Sequence, residues 1–214
     1  MNFTRNNLLL YAVTDRSWLH EGELLSHRLE RALKAGVTMV QLREKNLSFE
    51  DFVKEAQEIK SLCIRYGIPF LINDRVDVAL AVDADGVHVG QKDTDCKQAR
   101  KMLGPDKIIG ASAHNVAEAL AAQAAGADYL GCGAVFGSST KKDAGTLNFS
   151  VLQQICHAVS IPVVAIGGIS EKNVLQLTGS GIDGIAVISA IFAHEDPTNS
   201  VQQLLDLAGK VVVR

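Results

Sequence analysis

The chain is short of cysteine, with four in 214 residues, at Cys63, Cys96, Cys132 and Cys156. No two make a CxxC pair, which argues against a zinc site and against a disulfide framework. They read as small core residues or as free thiols of a reducing compartment. Long apolar runs are missing as well. The run at 8–13, "LLLYAV", is too short to span a bilayer, and no small-residue cleavage site follows it. The expectation is a soluble, cytoplasmic protein that does not engage a membrane. An excess of positive charge is also absent: the formal net charge is −3, so nucleic acid is not expected as a partner. Any anion site must then be a local gathering of cations. No Pro/Ser-rich linker or low-complexity tract divides the chain. Several catalytic signatures are missing: a GxSxG elbow, a GxxxxGK[ST] phosphate loop, a Ser-His-Asp order and a pair of glutamates.

What is present is an ordinary globular composition, 47% hydrophobic and 21% charged, enough for a sizeable core. Short β-rich runs alternate with helical patterns. The candidate strands are 8–13, 38–43, 70–73, 86–89, 108–111, 129–133, 163–166 and 184–188. Each precedes a helical pattern. In "SFEDFVKEAQEIKSLCIRYG", Phe49, Phe52, Val53, Ala56, Ile59 and Leu62 fall near helical spacing. Ser48 is the expected N-cap and Gly67 the expected stop. Asn115 with Glu118 resembles a capping box, and Ser170 is expected to cap a later helix. Eight βα units without a long linker predict an α/β chain closed into a parallel barrel, with a doubly wound open sheet as the alternative. Barrel ligands bind at the C-terminal ends of the strands, so polar residues there are the candidates.

"VQLREK", 40–45, ends the second strand. Side chains alternate along a strand, so Gln41, Arg43 and Lys45 share one face while Val40, Leu42 and Glu44 share the other. The apolar pair suits the helix-facing side. Gln41, Arg43 and Lys45 then point to the barrel axis and its mouth, where two cations call for an anion. Glu44 points away, to cap or pair locally. "FLINDRVD" ends the third strand on Asn73 and Asp74, and Asp93 lies just beyond "DGVHVG". Each Asp could be a helix cap, Asp93 for a helix beginning near Thr94. Together they could share Mg²⁺, which typically takes one or two carboxylates plus substrate phosphates.

Ser112 in "GASAH" reads as a phosphate donor, His114 as a ligand, a base or a local hydrogen-bonding residue, and His88 as a barrel-lining one. "GSSTKKDAG", with hydroxyls at Ser138, Ser139 and Thr140 followed by Lys141 and Lys142, reads as a mobile solvated loop or as a lid whose hydroxyls and lysine close over phosphates. The glycines of "AIGGI" and Ser189 in "GIAVISA" follow the last two strands, where barrels bind phosphate through backbone N–H groups.

Taken in order, "YAVTD", "VQLREK", "INDRVDVALAVDADGVHVGQKD", "GASAH", "STKKD", "PVVAIGGI" and "GIAVISAI" resemble the thiamine phosphate synthase family over nearly the whole chain. The resemblance implies one catalytic domain over 1–214, a single (β/α)8 TIM barrel. It implies a transferase of thiamine biosynthesis that joins a pyrimidine-methyl diphosphate to a thiazole phosphate, releasing pyrophosphate. By motif, Gln41, Arg43, Lys45, Asn73, Ser112 and Lys141 hold the pyrimidine diphosphate, with Arg43, Lys45 and Lys141 stabilising the leaving group. Asp74 and Asp93 hold Mg²⁺. Ser138, Thr140, Gly168, Ile188 and Ser189 hold the thiazole phosphate. The implied mechanism is dissociative. The implied partners are these two small molecules, with a homodimer as a candidate assembly. The family loop often carries two prolines where this chain has Ala134 and Gly137-Ser138, which predicts a looser lid. A related thiazole tautomerase and a non-catalytic ligand-binding barrel are the alternatives.

Overall fold

The computed structural model describes residues 3–90, 95–137 and 146–212. Its eight strands are β1 (Leu10–Val13), β2 (Met39–Leu42), β3 (Phe70–Asn73), β4 (Gly86–Val89), β5 (Ile108–Ala113), β6 (Tyr129–Gly133), β7 (Val163–Ile166) and β8 (Gly184–Val187). Each pairs in parallel with the next, and β8 pairs with β1, closing the barrel. The open-sheet alternative is thereby excluded. Every residue of β1, β2, β3 and β8 is buried. That is the pattern of parallel strands covered on both faces.

The apolar residues divide into two cores. The larger joins strand residues such as Val40, Leu42 and Ile72 to helix residues such as Leu29, Phe52 and Ile59. The smaller fills the barrel interior with Leu8, Tyr11, Val13, Met39, Leu71, Ile108, Tyr129, Val164 and Ala186, and among the described residues no α-helix contributes to it. The parity read from "VQLREK" therefore holds: Val40 and Leu42 face the helices, while Met39 faces inward.

The helices are α1 (Leu25–Ala35), α2 (Phe49–Tyr66), α3 (Val76–Ala81), α4 (Cys96–Leu103), α5 (Val116–Ala124), α6 (Phe149–Ala158), α7 (Ser189–Phe192) and α8 (Thr198–Val211). Ser48 caps α2 by accepting from the N–H of Asp51, and Gly67 ends it in a left-handed conformation. Phe49 is not on the buried face of α2. It lies under the guanidinium of Arg75, whose carbon is 5.8 Å from the ring centre. Asn115 caps α5 by accepting from the N–H of Glu118, and Glu118 in return accepts from the Asn115 side-chain amide and from the N–H of His114 rather than from the Asn115 N–H.

Other expectations need correction. After β7 there is only a 3-10 turn, Val174–Leu177. Ser170 caps nothing there; its own N–H is taken by the Asn173 side chain, a local bond that competes with helix. β1 and β2 are shorter than 8–13 and 38–43, because Leu8 closes a 3-10 turn and Thr38 spends its hydroxyl on Leu10 and Asn7. β5 runs on to Ala113, pairing Ser112 with Gly131. α4 begins at Cys96, two residues past Thr94, and its cap is Asp95 rather than Asp93. Among the described residues no helix is long and apolar enough to cross a membrane.

Candidate functional site

The sequence-predicted site residues among the described ones all lie at or just beyond the C-terminal ends of the strands. At the end of β2, Gln41 is buried and its Nε2 donates to the Tyr11 hydroxyl at 2.6 Å. Two residues on, the Arg43 N–H donates to Thr14 Oγ1 at 2.9 Å, and its guanidinium lies 3.8 Å from the Asp15 carboxylate. Arg43 Nε is buried with no hydrogen-bond partner among the described residues. Lys45 reaches across to β3, where its Nζ is 2.7 Å from Asp74 Oδ2.

Asn73 and Asp74 leave β3 toward the same place. Neither caps α3, whose N-cap is Arg75 without a side-chain bond. Instead Asn73 Nδ2 donates to Asp74 Oδ1 at 2.7 Å, and the Asp74 N–H donates to the His88 carbonyl at 2.8 Å. Asp74 adopts φ 62, the left-handed region that Asp tolerates better than most residues. One carboxylate thus faces a lysine and an amide, with its backbone tied to the neighbouring strand.

On β4 and β5, His88 lines the barrel, as expected. Its Nδ1 is 3.0 Å from the Tyr129 hydroxyl and its Nε2 is 3.1 Å from Ser112 Oγ. His114 makes the local alternative: its Nδ1 meets Glu118 at 3.0 Å. Past β7, Gly168 has φ 67, and a Cβ there would stand 2.6 Å from the Gly137 carbonyl, so only glycine fits. Ile188 and Ser189 follow β8 directly, Ile188 as the residue before α7 and Ser189 as its first. The structure joins Lys45, Asn73 and Asp74 by hydrogen bonds at the ends of β2 and β3, holds Gln41 on Tyr11 and Arg43 on Thr14 and Asp15 at the end of β2, and sets Ser112 against His88 on the neighbouring strand. Gly168, Ile188 and Ser189 lie on the adjacent side. Asp93, Ser138, Thr140 and Lys141 lie outside the described residues, as do Ser139 and Lys142.

Sequence reasoning missed the supports. Thr14 and Asp15 fix Arg43, and the polar end of "YAVTD" was the available signal, since it follows a strand like the other candidates. Glu44 turns away from the mouth, buried, and its Oε2 accepts from Arg16 Nε at 2.8 Å. Arg16 also holds both oxygens of Glu55 at 2.7 Å. Burial, and then the Glu44 charge, push the Glu55 carboxyl up to about 7, against the opposing pull of Arg16. Tyr11 and Tyr129, hydroxyl to hydroxyl at 2.9 Å, are the other omission; burial drives both phenols well above their ordinary range.

Of the two aspartates expected to hold a hard cation, the described residues include Asp74. Among the described residues no group of three or more His, Cys, Asp and Glu converges. Mg²⁺ needs no such cage, because substrate phosphates and water complete its shell. Asp74 brings one carboxylate to the strand ends, with one oxygen on the Asn73 amide and the other on the Lys45 ammonium.

The fold and this mouth define a (β/α)8-barrel enzyme with cations, carboxylate and amide gathered at its strand ends. A family model described as thiamine monophosphate synthase matches residues 10–191. The chain is 51% identical to the thiamine-phosphate synthase of Clostridium tetani over 195 residues, 91% of this chain and 93% of that one. It is 48% identical to that of Clostridium novyi over 202 residues, 94% and 98% of the two chains. The solved structure of thiamine phosphate pyrophosphorylase from Pyrococcus furiosus matches with a TM-score of 0.89 at 40% identity, covering 98% of this chain and 99% of that one. The chain belongs to the thiamine monophosphate synthase family and is a transferase.

Proposed function

We propose that the protein joins a pyrimidine-methyl diphosphate to a thiazole phosphate, forming thiamine phosphate and pyrophosphate. The observation that carries this reading is the convergence of Arg43, Lys45, Asn73 and Asp74 at one end of the barrel. In the dissociative route, the C–O bond between the methylene and the diphosphate breaks first, and its electron pair leaves with the diphosphate. The thiazole nitrogen then gives its lone pair to the methylene carbon. Negative charge grows on the leaving group, and preorganised cations stabilise such charge without reorganising at the moment of reaction.

Arg43 is suited to that work. Thr14 and Asp15 hold it, while its Nε is a buried donor that a phosphate oxygen would satisfy. Lys45 is held by Asp74 and would exchange that contact for diphosphate. Asp74, with Asp93 by family resemblance, would hold Mg²⁺. When bound, Mg²⁺ supplies Lewis-acid neutralisation of the diphosphate oxygens. Gln41, Asn73, Ser112 and Lys141 would hold the pyrimidine substrate; Ser138, Thr140, Gly168, Ile188 and Ser189 would hold the thiazole phosphate. Keeping both substrates at one mouth makes the second step effectively unimolecular. The whole chain, 1–214, would act as one cytoplasmic catalytic domain.

The reading is tested by release of pyrophosphate from both substrates with and without Mg²⁺, for the parent protein and for Asp74→Ala. Metal-dependent release by the parent, lost in the variant, is expected. Release that is unchanged by chelator and by the substitution would overturn the metal assignment.

A further inference from the structure

We propose that Arg16 is a positioning residue for Arg43: it clamps the loop after β1, which carries Asp15, to Glu44 and Glu55, and so fixes the direction in which the Arg43 guanidinium meets a diphosphate. The inference rests on the synthase reading, which gives Arg43 that role.

Sheet pairing between β1 and β2 ends at Val13 and Gln41. Beyond it, three consecutive residues of the loop lace the two strand ends together. The Thr14 N–H donates to the Gln41 carbonyl at 3.0 Å, and Thr14 Oγ1 accepts from the Arg43 N–H at 2.9 Å. Asp15 Oδ2 faces the Arg43 guanidinium at 3.8 Å, while its Oδ1 accepts from the N–H and the hydroxyl of Ser17 at 3.0 and 2.7 Å. Arg16 Nε donates to Glu44 Oε2 at 2.8 Å, and its Nη2 lies 2.7 Å from both oxygens of Glu55 on α2.

The third link sets the aim of the other two. Arg43 and Glu44 are neighbours at one strand end, so their side chains leave on opposite sides. Holding Glu44 on the helix side therefore holds Arg43 on the other. Glu44 is a firm anchor because its carboxylate is costly to leave unpaired. Its side chain is 3% exposed, and its Oε1 takes no hydrogen bond among the described residues. An arginine that met only exposed carboxylates would count for little. Here one planar guanidinium reaches a buried carboxylate at the end of β2 and a second on α2, a fork that a lysine ammonium does not reproduce. Asp15 precedes Arg16 directly, so a loop released from Glu44 would carry the Asp15 carboxylate away from Arg43 as well.

The test is a double-mutant cycle of Arg16→Gln and Arg43→Gln in the full chain. It is read by kcat, by KM for each substrate, and by calorimetric binding of inorganic pyrophosphate with Mg²⁺. Arg16→Gln alone should lower kcat and weaken pyrophosphate binding about tenfold, the size of one misplaced charged hydrogen bond, with KM for the thiazole phosphate unchanged. In the Arg43→Gln background the same substitution should change either quantity by less than about twofold, because the group it aims is gone. Equal losses in both backgrounds would overturn the proposal, as would a matching rise in KM for the thiazole phosphate, since both mark a merely structural role. If Arg16→Gln does not fold, Arg16→Lys, which keeps a cation beside Glu44, runs the same cycle; its loss should be smaller and should again vanish without Arg43. A parent that binds pyrophosphate but makes no thiamine phosphate sinks the synthase reading, and the binding arm still decides whether Arg16 acts through Arg43. A parent that binds no pyrophosphate overturns both.

Discussion

Arg43 and Lys45 have different neighbours, and that divides their work. Arg43 is largely enclosed, its guanidinium beside Asp15, whereas the Lys45 side chain is 48% exposed and reaches Asp74. Arg43 is a fixed donor; Lys45 is free to swing between carboxylate and phosphate. Replacing either by alanine should lower kcat by about 10²–10³, the loss typical of one preorganised donor to developing negative charge. Steady-state rates under saturating substrates check this. Glu55 gives a prediction away from the mouth. Its carboxyl is raised to about 7, so the folded state holds that proton more tightly than the unfolded chain. Its contribution to stability therefore falls as pH rises from the ordinary carboxylate range to about 7, and is level above. Urea midpoints at pH 5 and pH 8 should differ less in Glu55→Gln than in the parent. The mouth residues were legible because parity and strand ends name them. Tyr129, Thr14 and Asp15 were not, because each acts on a residue from another strand, and alternation along one strand says nothing of what stands across the barrel.

The elements tell a similar story. β3, β4, β6 and β7 appear where the apolar runs place them, and α2 starts and stops at Ser48 and Gly67. The failures are at ends and in weak patterns. The stretch after β7 makes a 3-10 turn because the Asn173 side chain takes the Ser170 N–H and its amide donates to the Gly168 carbonyl. That second bond ties the turn to the glycine of the proposed thiazole-phosphate side, so a missing helix is also a support for the site. β5 carries its own constraint in Gly110, which leaves room for Tyr129 and His88. Gly110→Ala should destabilise the fold by about 1–3 kcal/mol through overpacking, measurable by urea unfolding.

For the molecule as a whole, closure turns a list of strand ends into a site. Eight units could be counted from the sequence and predicted closure, and the structure adds the register of that closure, with Leu10↔Ile185 and Ala12↔Val187 paired once the chain has gone around. Closure sets β2, β3, β4 and β5 side by side, so that Lys45 meets Asp74 and His88 joins Asn73 to Ser112. It also separates an apolar layer under the helices from a smaller apolar core inside the barrel. In the proposed reaction this mouth would ionise a diphosphate and pass the pyrimidine-methyl fragment to a thiazole. Phosphorus NMR of the purified protein with both substrates and Mg²⁺ tests it most directly. The account predicts thiamine phosphate and pyrophosphate appearing one for one; both substrates persisting unchanged would contradict it.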